Sequence, residues 1–203
     1  MTFQDDLEPE FIAKLVARDE RAFNELVRVF ERRIFGMLVR MIGNPTEAED
    51  LTHEVFIQVF KSIGSFRGES KLSTWIYRIT VNLCKNRMKY LKVRHTGDSE
   101  SIDEIGERVT MGDAQRSTVS HVERPDDAYA GKEMARIVRE AILEIPEHFR
   151  ECLILRDVED LRYDEIASVT GLTEGTVKSR IFRAREELRL VVERKMGGKK
   201  ERT

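Results

Sequence analysis

The chain has 203 residues, of which 40% are hydrophobic and 35% are charged, with 35 Lys and Arg against 37 Asp and Glu. With four Pro and twelve Gly, this composition favours one or two folded, mostly helical domains. There is no run of 18 apolar residues, and the first ten residues lack a signal-peptide core. These features exclude a membrane span and direct membrane insertion, and they predict a cytoplasmic protein. The two cysteines, Cys84 and Cys152, lack metal-ligand spacing and are expected to be buried thiols.

The first half of the chain shows helical hydrophobic periodicity, interrupted by one loop without a period. The pattern predicts helices over about residues 9–18, 20–42, 46–63 and 73–93, with the loop at 64–70. Thr46 is predicted to cap the third helix, with Glu49 completing a capping box. The polar face of this helix carries Asp50, His53, Glu54 and Gln58.

The fourth predicted helix has a basic face. Seven Lys and Arg and no acid occur from residue 71 to residue 94. Trp75 belongs to the apolar stripe, so we interpret it as a core residue. The opposite side carries Tyr77, Arg78, Asn82, Lys85, Asn86 and Lys89. Such a face suits contacts with phosphates and bases, although a plain solvated helix remains the alternative.

A polar segment separates the two halves of the chain. From residue 95 to residue 133 ten acids face four bases, and large apolar residues are scarce, which indicates a flexible acidic linker over residues 95–125. A linker of about 30 residues exceeds an ordinary loop within a domain, so it predicts two domains.

The most informative stretch is at residues 163–189, where two short helices are joined by a tight turn. Gly171 provides the turn, and Thr173 is predicted to cap the second helix. The exposed face of that helix is expected to carry Lys178, Ser179, Phe182, Arg183 and Arg185. The spacing fits a helix-turn-helix that places its second helix in the DNA major groove, with an ordinary helical hairpin as the alternative.

Five segments of the chain, in order, resemble an extracytoplasmic-function sigma factor of the sigma-70 family. They are AFNELVRVFERRIF, EDLTHEVFIQVFKSI, FRGESKLSTWIYRITVNLCKNRM, EIPEHFRECLILRDVEDL and YDEIASVTGLTEGTVKSRIFRARE. The resemblance implies an all-α fold with two small helical domains. These are a sigma-2 domain at 1–94 and a sigma-4 domain with a helix-turn-helix at 126–196, joined by the acidic linker at 95–125 and followed by a tail at 197–203.

The resemblance also implies partners and site residues. The protein is expected to bind core RNA polymerase, at the β′ coiled coil and the β flap, and promoter DNA, with an anti-sigma factor as regulator in a stress or envelope response. Core polymerase would meet Asp50, His53, Glu54 and Gln58. The −10 element would meet Phe66, Arg67, Ser70, Lys71, Tyr77, Arg78, Asn82 and Lys85, with Arg87 and Lys89 on phosphates. The −35 element would meet Thr176, Lys178, Ser179, Arg180, Phe182 and Arg183.

Two other classes of protein share single features with this sequence. A response-regulator-like transcription factor would share the helix-turn-helix, but residues 1–125 show no alternating strand and helix pattern. A small nuclease would need a metal site, and Asp50, His53 and Glu54 share one helical face without further ligands. No catalytic residue, cofactor, metal or small-molecule substrate is therefore predicted.

Overall fold

A computed structural model of the chain describes residues 9–97 and 125–200. These two ranges contain α-helices and turns and no strand, which confirms the predicted all-α fold. The helices are α1 (Pro9–Val16), α2 (Glu20–Ile42), α3 (Pro45–Ser62), α4 (Leu72–Gly97), α5 (Pro125–Glu144), α6 (Glu147–Leu153), α7 (Tyr163–Thr170) and α8 (Glu174–Lys200). A 3₁₀ turn at Ile63–Ser65 follows α3 and a π turn at Ile154–Val158 follows α6. Most of the predicted linker, residues 98–124, lies outside the described ranges.

The ends of α2 and α3 are fixed by local hydrogen bonds. The Asp19 carboxylate accepts from the backbone N–H of Ala22 at 2.8 Å, and α2 ends at Gly43 in the left-handed conformation, with φ 84°. The prediction that Thr46 caps α3 is wrong. Asn44 is the cap, because its side-chain oxygen accepts from two backbone N–H groups of the first turn and Pro45 occupies the first helical position.

The four N-terminal helices, α1 to α4, share one apolar core. Its fully buried members come mainly from α2 and α3 and include Leu26, Phe30, Ile34, Leu38, Leu51, Val55 and Val59. From α4, Ile76 and Cys84 are fully buried, as their positions on the apolar stripe predict. Trp75 is half-buried and packs with the core, as its place on that stripe predicts.

The C-terminal helices, α5 to α8, bring the helix-turn-helix to the surface. Gly171 ends α7 with φ 74°, and its N–H donates to the Ala167 carbonyl. The Thr173 hydroxyl accepts from the N–H of Thr176 at 3.3 Å and begins α8 as predicted. Val177, Ile181, Ala184 and Val191 form the buried stripe of α8.

The N-terminal and C-terminal helices pack directly on each other through α4 and α2. One continuous core contains Ile76 and Val81 of α4 together with Ile154, Ile166 and Val169 of the C-terminal helices. We call this contact the seam. Val81 and Tyr77, which lie off the apolar stripe of α4, are nevertheless buried, because the seam covers the side of α4 on which they lie.

Candidate functional site

The polar face of α3 is open to solvent. Asp50, His53, Glu54 and Gln58 are all exposed, as expected for a docking surface. Ile57 lies within the same face and is 54% exposed. The sequence did not predict this exposure, because an isoleucine in a helix is ordinarily expected to be buried. An exposed apolar side chain with polar residues around it matches the apolar centre and polar rim of protein interfaces.

One arginine of α4 organises the acids of this face. The Arg87 guanidinium donates to Glu47 of α3 at 2.6 Å and also contacts the Glu54 carboxylate. Its side chain is 21% exposed, so Arg87 is turned toward α3 and away from the surface on which phosphate contacts were expected. The sequence shows a basic residue here but does not show which helix it faces.

The loop before α4 holds the aromatic residues of the predicted −10 site. The Phe66 ring lies 5.4 Å from the Trp75 ring, and both residues are half-buried. Arg67 is exposed and Ser70 is half-buried. The Lys71 ammonium lies 3.2 Å from a Glu165 carboxylate oxygen on α7, so the C-terminal helices already reach this loop.

Two residues of the polar side of α4, Tyr77 and Arg78, contact the C-terminal helices. Tyr77 is 1% exposed and donates its hydroxyl to Glu159 at 2.6 Å, which corrects the expectation that it lies on an open nucleic-acid face. Arg78 donates to the Ser168 carbonyl at 3.0 Å and to its hydroxyl at 2.7 Å. Asn82 is exposed.

Two buried carboxylates face this helix. The Lys85 ammonium lies 2.8 Å from a Glu151 carboxylate oxygen. That oxygen has no hydrogen-bond partner among the residues described, because the approach lies outside hydrogen-bonding angles, so the contact is an ion pair. The Glu159 carboxylate accepts the hydrogen bond from the Tyr77 hydroxyl and also lies 3.4 Å from the Arg33 guanidinium. Burying carboxylates is costly unless cations or donors face them.

Both cysteines are buried near these acids. Burial raises the pKa of the Cys84 thiol to about 12 and that of the Cys152 thiol to about 11, and the Glu151 charge adds to both shifts. Both thiols therefore stay protonated at neutral pH and are poor nucleophiles. Cys84 lines a crevice of the seam between Met88 and Arg150.

The outer face of α8 is open. Phe182 is 68% exposed, Arg183 is exposed, and within 9–97 and 125–200 the Arg183 guanidinium has no hydrogen-bond or ion-pair partner. Lys178 is exposed and lies 4.0 Å from Glu174. Ser179 is exposed and donates to the Thr176 carbonyl at 2.9 Å.

Two predicted −35 residues are less accessible. Thr176 is half-buried, and its hydroxyl lies 2.9 Å from that of Thr173 in the helix cap. Arg180 is half-buried and donates to the His148 carbonyl at 3.5 Å. Both have structural contacts within the C-terminal helices, and the other four predicted residues, Lys178, Ser179, Phe182 and Arg183, are exposed.

The part of the chain that the structure describes contains neither a metal-binding cluster nor a membrane-spanning helix. No three His, Cys, Asp or Glu side chains there are placed to hold a metal ion. None of the helices described is both long and apolar enough to span a bilayer.

The chain is similar in sequence to known families and proteins. Family models for sigma-70 region 2 and sigma-70 region 4 match residues 26–94 and 135–188. RNA polymerase sigma-H factor of Pseudomonas aeruginosa is 36% identical over 88% of this chain and 90% of its own length. The ECF RNA polymerase sigma-E factor of Haemophilus influenzae is 37% identical over 83% of this chain and 86% of its own length.

Two solved structures have a similar fold. The sigma factor RpoE in complex with the anti-sigma factor NepR, from Bartonella quintana, has a TM-score of 0.65 at 21% identity, over 84% of this chain and 96% of that one. CnrH in complex with the cytosolic domain of CnrY has a TM-score of 0.61 at 20% identity, over 90% and 95%.

Proposed function

The chain belongs to the extracytoplasmic-function sigma factors of the sigma-70 family, and from this membership we propose which of its surfaces binds each partner. It acts as an alternative sigma factor, which confers promoter specificity on core RNA polymerase and is not an enzyme. We assign polymerase docking to α3, −10 recognition to the loop at 66–71 with α4, and −35 recognition to α8. The domains correspond to 1–94 and 126–196, and the protein works in the cytoplasm.

The single observation that carries the proposal is the exposure of Phe182 and Arg183 on the outer face of α8. Arg183 and Phe182 project from the second helix of a helix-turn-helix whose buried stripe is fully packed. An unpaired guanidinium can donate two hydrogen bonds to a guanine edge, and an exposed ring can contact a thymine methyl. Neither residue contributes to the core, so their exposure fits a role in binding DNA.

The α3 face supports the polymerase assignment. Asp50 and Glu54 give it negative charge, and Ile57 gives it an apolar centre. Complementary charge steers and orients a partner, while a central apolar side chain supplies buried area. We assign this face to the β′ coiled coil and the C-terminal helices to the β flap.

An anti-sigma factor is the further partner that we propose. In one solved structure of similar fold, the sigma factor RpoE is bound to the anti-sigma factor NepR, and in another, CnrH is bound to the cytosolic domain of CnrY. Exposed apolar side chains such as Tyr90 and Val93 on α4 offer contact area.

Run-off transcription tests the proposed function. Bacterial core RNA polymerase is supplied with promoters randomised at −35 and −10, with and without the purified protein. Selective initiation from a subset of promoters is expected only when the protein is present. If the protein binds duplex DNA alone and never joins core polymerase, the proposal fails and an autonomous regulator becomes the better reading.

The −35 assignment predicts the effect of removing one side chain. Arg183→Ala should weaken binding to the selected −35 duplex by about 1–3 kcal/mol and relax selectivity at one base pair, because a bidentate contact is lost. Arg139→Ala, at an exposed arginine of α5, removes the same charge and should leave that selectivity unchanged. Fluorescence anisotropy with the selected duplex and its single-base variants measures both. Equal losses in the two variants would contradict the assignment.

A further inference from the structure

We propose that Arg18 and Lys61 form a cationic contact at the end of the α3 docking face, which binds an acidic segment of core polymerase. The contact surrounds the exposed ring of Phe60, and we call these three residues the cationic corner. This inference rests on the proposed function, because it takes α3 as the helix that docks on polymerase. It adds a requirement that the acids of α3 do not impose, namely a carboxylate on the partner at a defined position.

The Phe60 ring is held between α2 and the turn that joins α1 to α2. Its centroid lies 5.1 Å from that of the Phe23 ring, in an edge-to-face arrangement, and the Arg18 guanidinium carbon lies 5.2 Å from the Phe60 centroid. Phe60 remains 37% exposed. A guanidinium over an aromatic ring is attracted by the ring electrons and keeps N–H groups free for a carboxylate. The ring therefore restricts where the cation lies and leaves it available to a partner.

The backbone of Arg18 is in the left-handed conformation, with φ 59°. The residue closes α1, since its N–H donates to the Leu15 carbonyl at 3.0 Å and the N–H of Asp19 donates to the Lys14 carbonyl at 3.0 Å. Glycine is favoured at such a turn, because a Cβ atom makes this conformation unfavourable. An arginine here carries a backbone cost that the turn does not require, which points to a role for its side chain.

The exposed side of α3 changes sign along the helix. Asp50, Glu54, Ile57 and Lys61 are all exposed and follow one another at steps of four, three and four, so they form a single stripe. At about 1.5 Å per residue, the stripe runs over roughly 16 Å. Its first half is acidic, its middle is apolar and its end is cationic. The corner is therefore the continuation of the face that we assign to polymerase.

The two cations of the corner have no carboxylate of their own. In residues 9–97 and 125–200, neither Arg18 nor Lys61 takes part in an ion pair, although both are exposed. Lys14 of α1, by contrast, is paired with Glu10 at 2.8 Å. Unpaired cations at the end of an acidic stripe complement a partner that presents basic, apolar and acidic residues in that order. Reversed docking would place like charges together, so the corner fixes the direction of binding.

A protein partner fits this corner better than a nucleic acid does. A strand that followed the stripe from the corner would bring its phosphates to Asp50 and Glu54, where like charges repel. A polymerase segment with a single acidic end avoids this repulsion, because its basic part meets the two acids. The corner and the acids are thus satisfied together by one protein surface of mixed charge.

Charge reversal at Arg18 tests the corner in the full chain. Arg18→Glu should lower the affinity for core polymerase by at least about tenfold, because a like charge then faces the carboxylate of the partner. Fluorescence titration without DNA measures the affinity. The difference from wild type should shrink at about 0.5 M salt, since added ions screen exposed charges.

A glycine at the same position separates binding from folding. Arg18→Gly removes the cation and also relieves the left-handed backbone, so the melting temperature should fall by no more than about 2 °C. The affinity for core polymerase should nevertheless fall by about three- to fivefold, as expected for the loss of an exposed ion pair. A changed melting temperature with unchanged affinity would mean that Arg18 is purely structural, and would overturn the proposal.

Arg32→Glu is the matched control. Arg32 is exposed and lies nine residues after Phe23, about two and a half helical turns, so it projects from the side of α2 opposite to the ring pair. The same change of net charge there should leave the affinity for core polymerase within about twofold of wild type. An equal loss in both variants would show a general effect of charge and contradict the corner.

Chemical cross-linking identifies the residue on the partner. A carbodiimide joins an amine to a carboxylate in contact, so it should link Lys61 to an acidic residue of a polymerase subunit, located by mass spectrometry. Arg18→Lys should add a second link at position 18. The absence of a link to polymerase at both positions would refute the corner. A loss of single-stranded DNA binding by Arg18→Glu, with unchanged affinity for core polymerase, would assign the corner to nucleic acid and refute it as well.

Failure of the corner is distinguishable from failure of the proposed function. If Asp50→Lys weakens binding to core polymerase and Arg18→Glu does not, the docking face stands and the corner is wrong. If neither variant changes binding and the wild-type protein gives no run-off product, the sigma assignment itself fails.

Discussion

Reversing the charge of Asp50 and Glu54 together is expected to abolish promoter-directed transcription by removing the affinity for core polymerase. Both side chains are exposed on α3 beside Ile57. At a protein interface, losing one partner of a buried, hydrogen-bonded charge pair costs about 2–5 kcal/mol. Asp50→Lys with Glu54→Lys replaces two such attractions by repulsions, so binding should fall by at least about 100-fold. Pull-down titration with core polymerase measures the loss.

The control for this reversal is a pair of acids on another helix. Glu25 and Glu31 are exposed on α2, and changing both to Lys alters the net charge of the protein by the same amount. This variant should bind core polymerase within about threefold of wild type, since rim and remote charges contribute little. Because Arg87 contacts Glu54, Asp50→Lys is also tested alone, where no internal pair is disturbed. Retention of full binding by the double reversal would refute the docking face.

Phe30→Ala is expected to have the largest effect on stability. Phe30 is 4% exposed in the core of the N-terminal helices, and truncating a buried Phe to Ala costs about 3–5 kcal/mol. Against a total stability of about 5–15 kcal/mol, this is a large fraction. For a chain of this length the melting temperature should fall by about 6–20 °C. Thermal and urea unfolding followed by circular dichroism give the free energy of unfolding.

The same chemical change at Phe182 separates stability from recognition. Phe182 is 68% exposed on α8, so Phe182→Ala should change the free energy of unfolding by no more than about 0.5 kcal/mol. It should nevertheless weaken binding to the −35 duplex, because the contact with a thymine methyl is lost. Comparable destabilisation at both positions would mean that Phe182 packs in a core that this structure does not contain.

Local features of the sequence predicted much of the fold. Periodicity located the helices because each buries one side, and Gly171 marked the end of α7 because it adopts a positive φ. The predicted cap of α3, Thr46, lies two residues after the observed cap, Asn44. An asparagine directly before a proline at the first helical position is itself a strong cap signal.

Long-range packing was beyond the sequence pattern. Tyr77 and Val81 lie off the apolar stripe of α4, and their burial depends on helices more than 60 residues away in the chain. The spacing of apolar residues indicates the face of a helix that packs on its neighbours within one core. It does not show that another side of the same helix is buried by a distant part of the chain. Ile57 was missed for the converse reason, since it is apolar but faces solvent.

The end of α2 restricts which amino acids the chain tolerates there during sequence drift. At Gly43 the backbone angle alone disfavours every L-residue, with Asn the least penalised. A Cβ atom at this position would also lie 3.1 Å from the methyl groups of Leu143 on α5. The first restriction belongs to the turn itself, whereas the second exists only while the two halves are in contact. Position 43 is thus under two selective constraints of different origin, one of them imposed by the other half of the molecule.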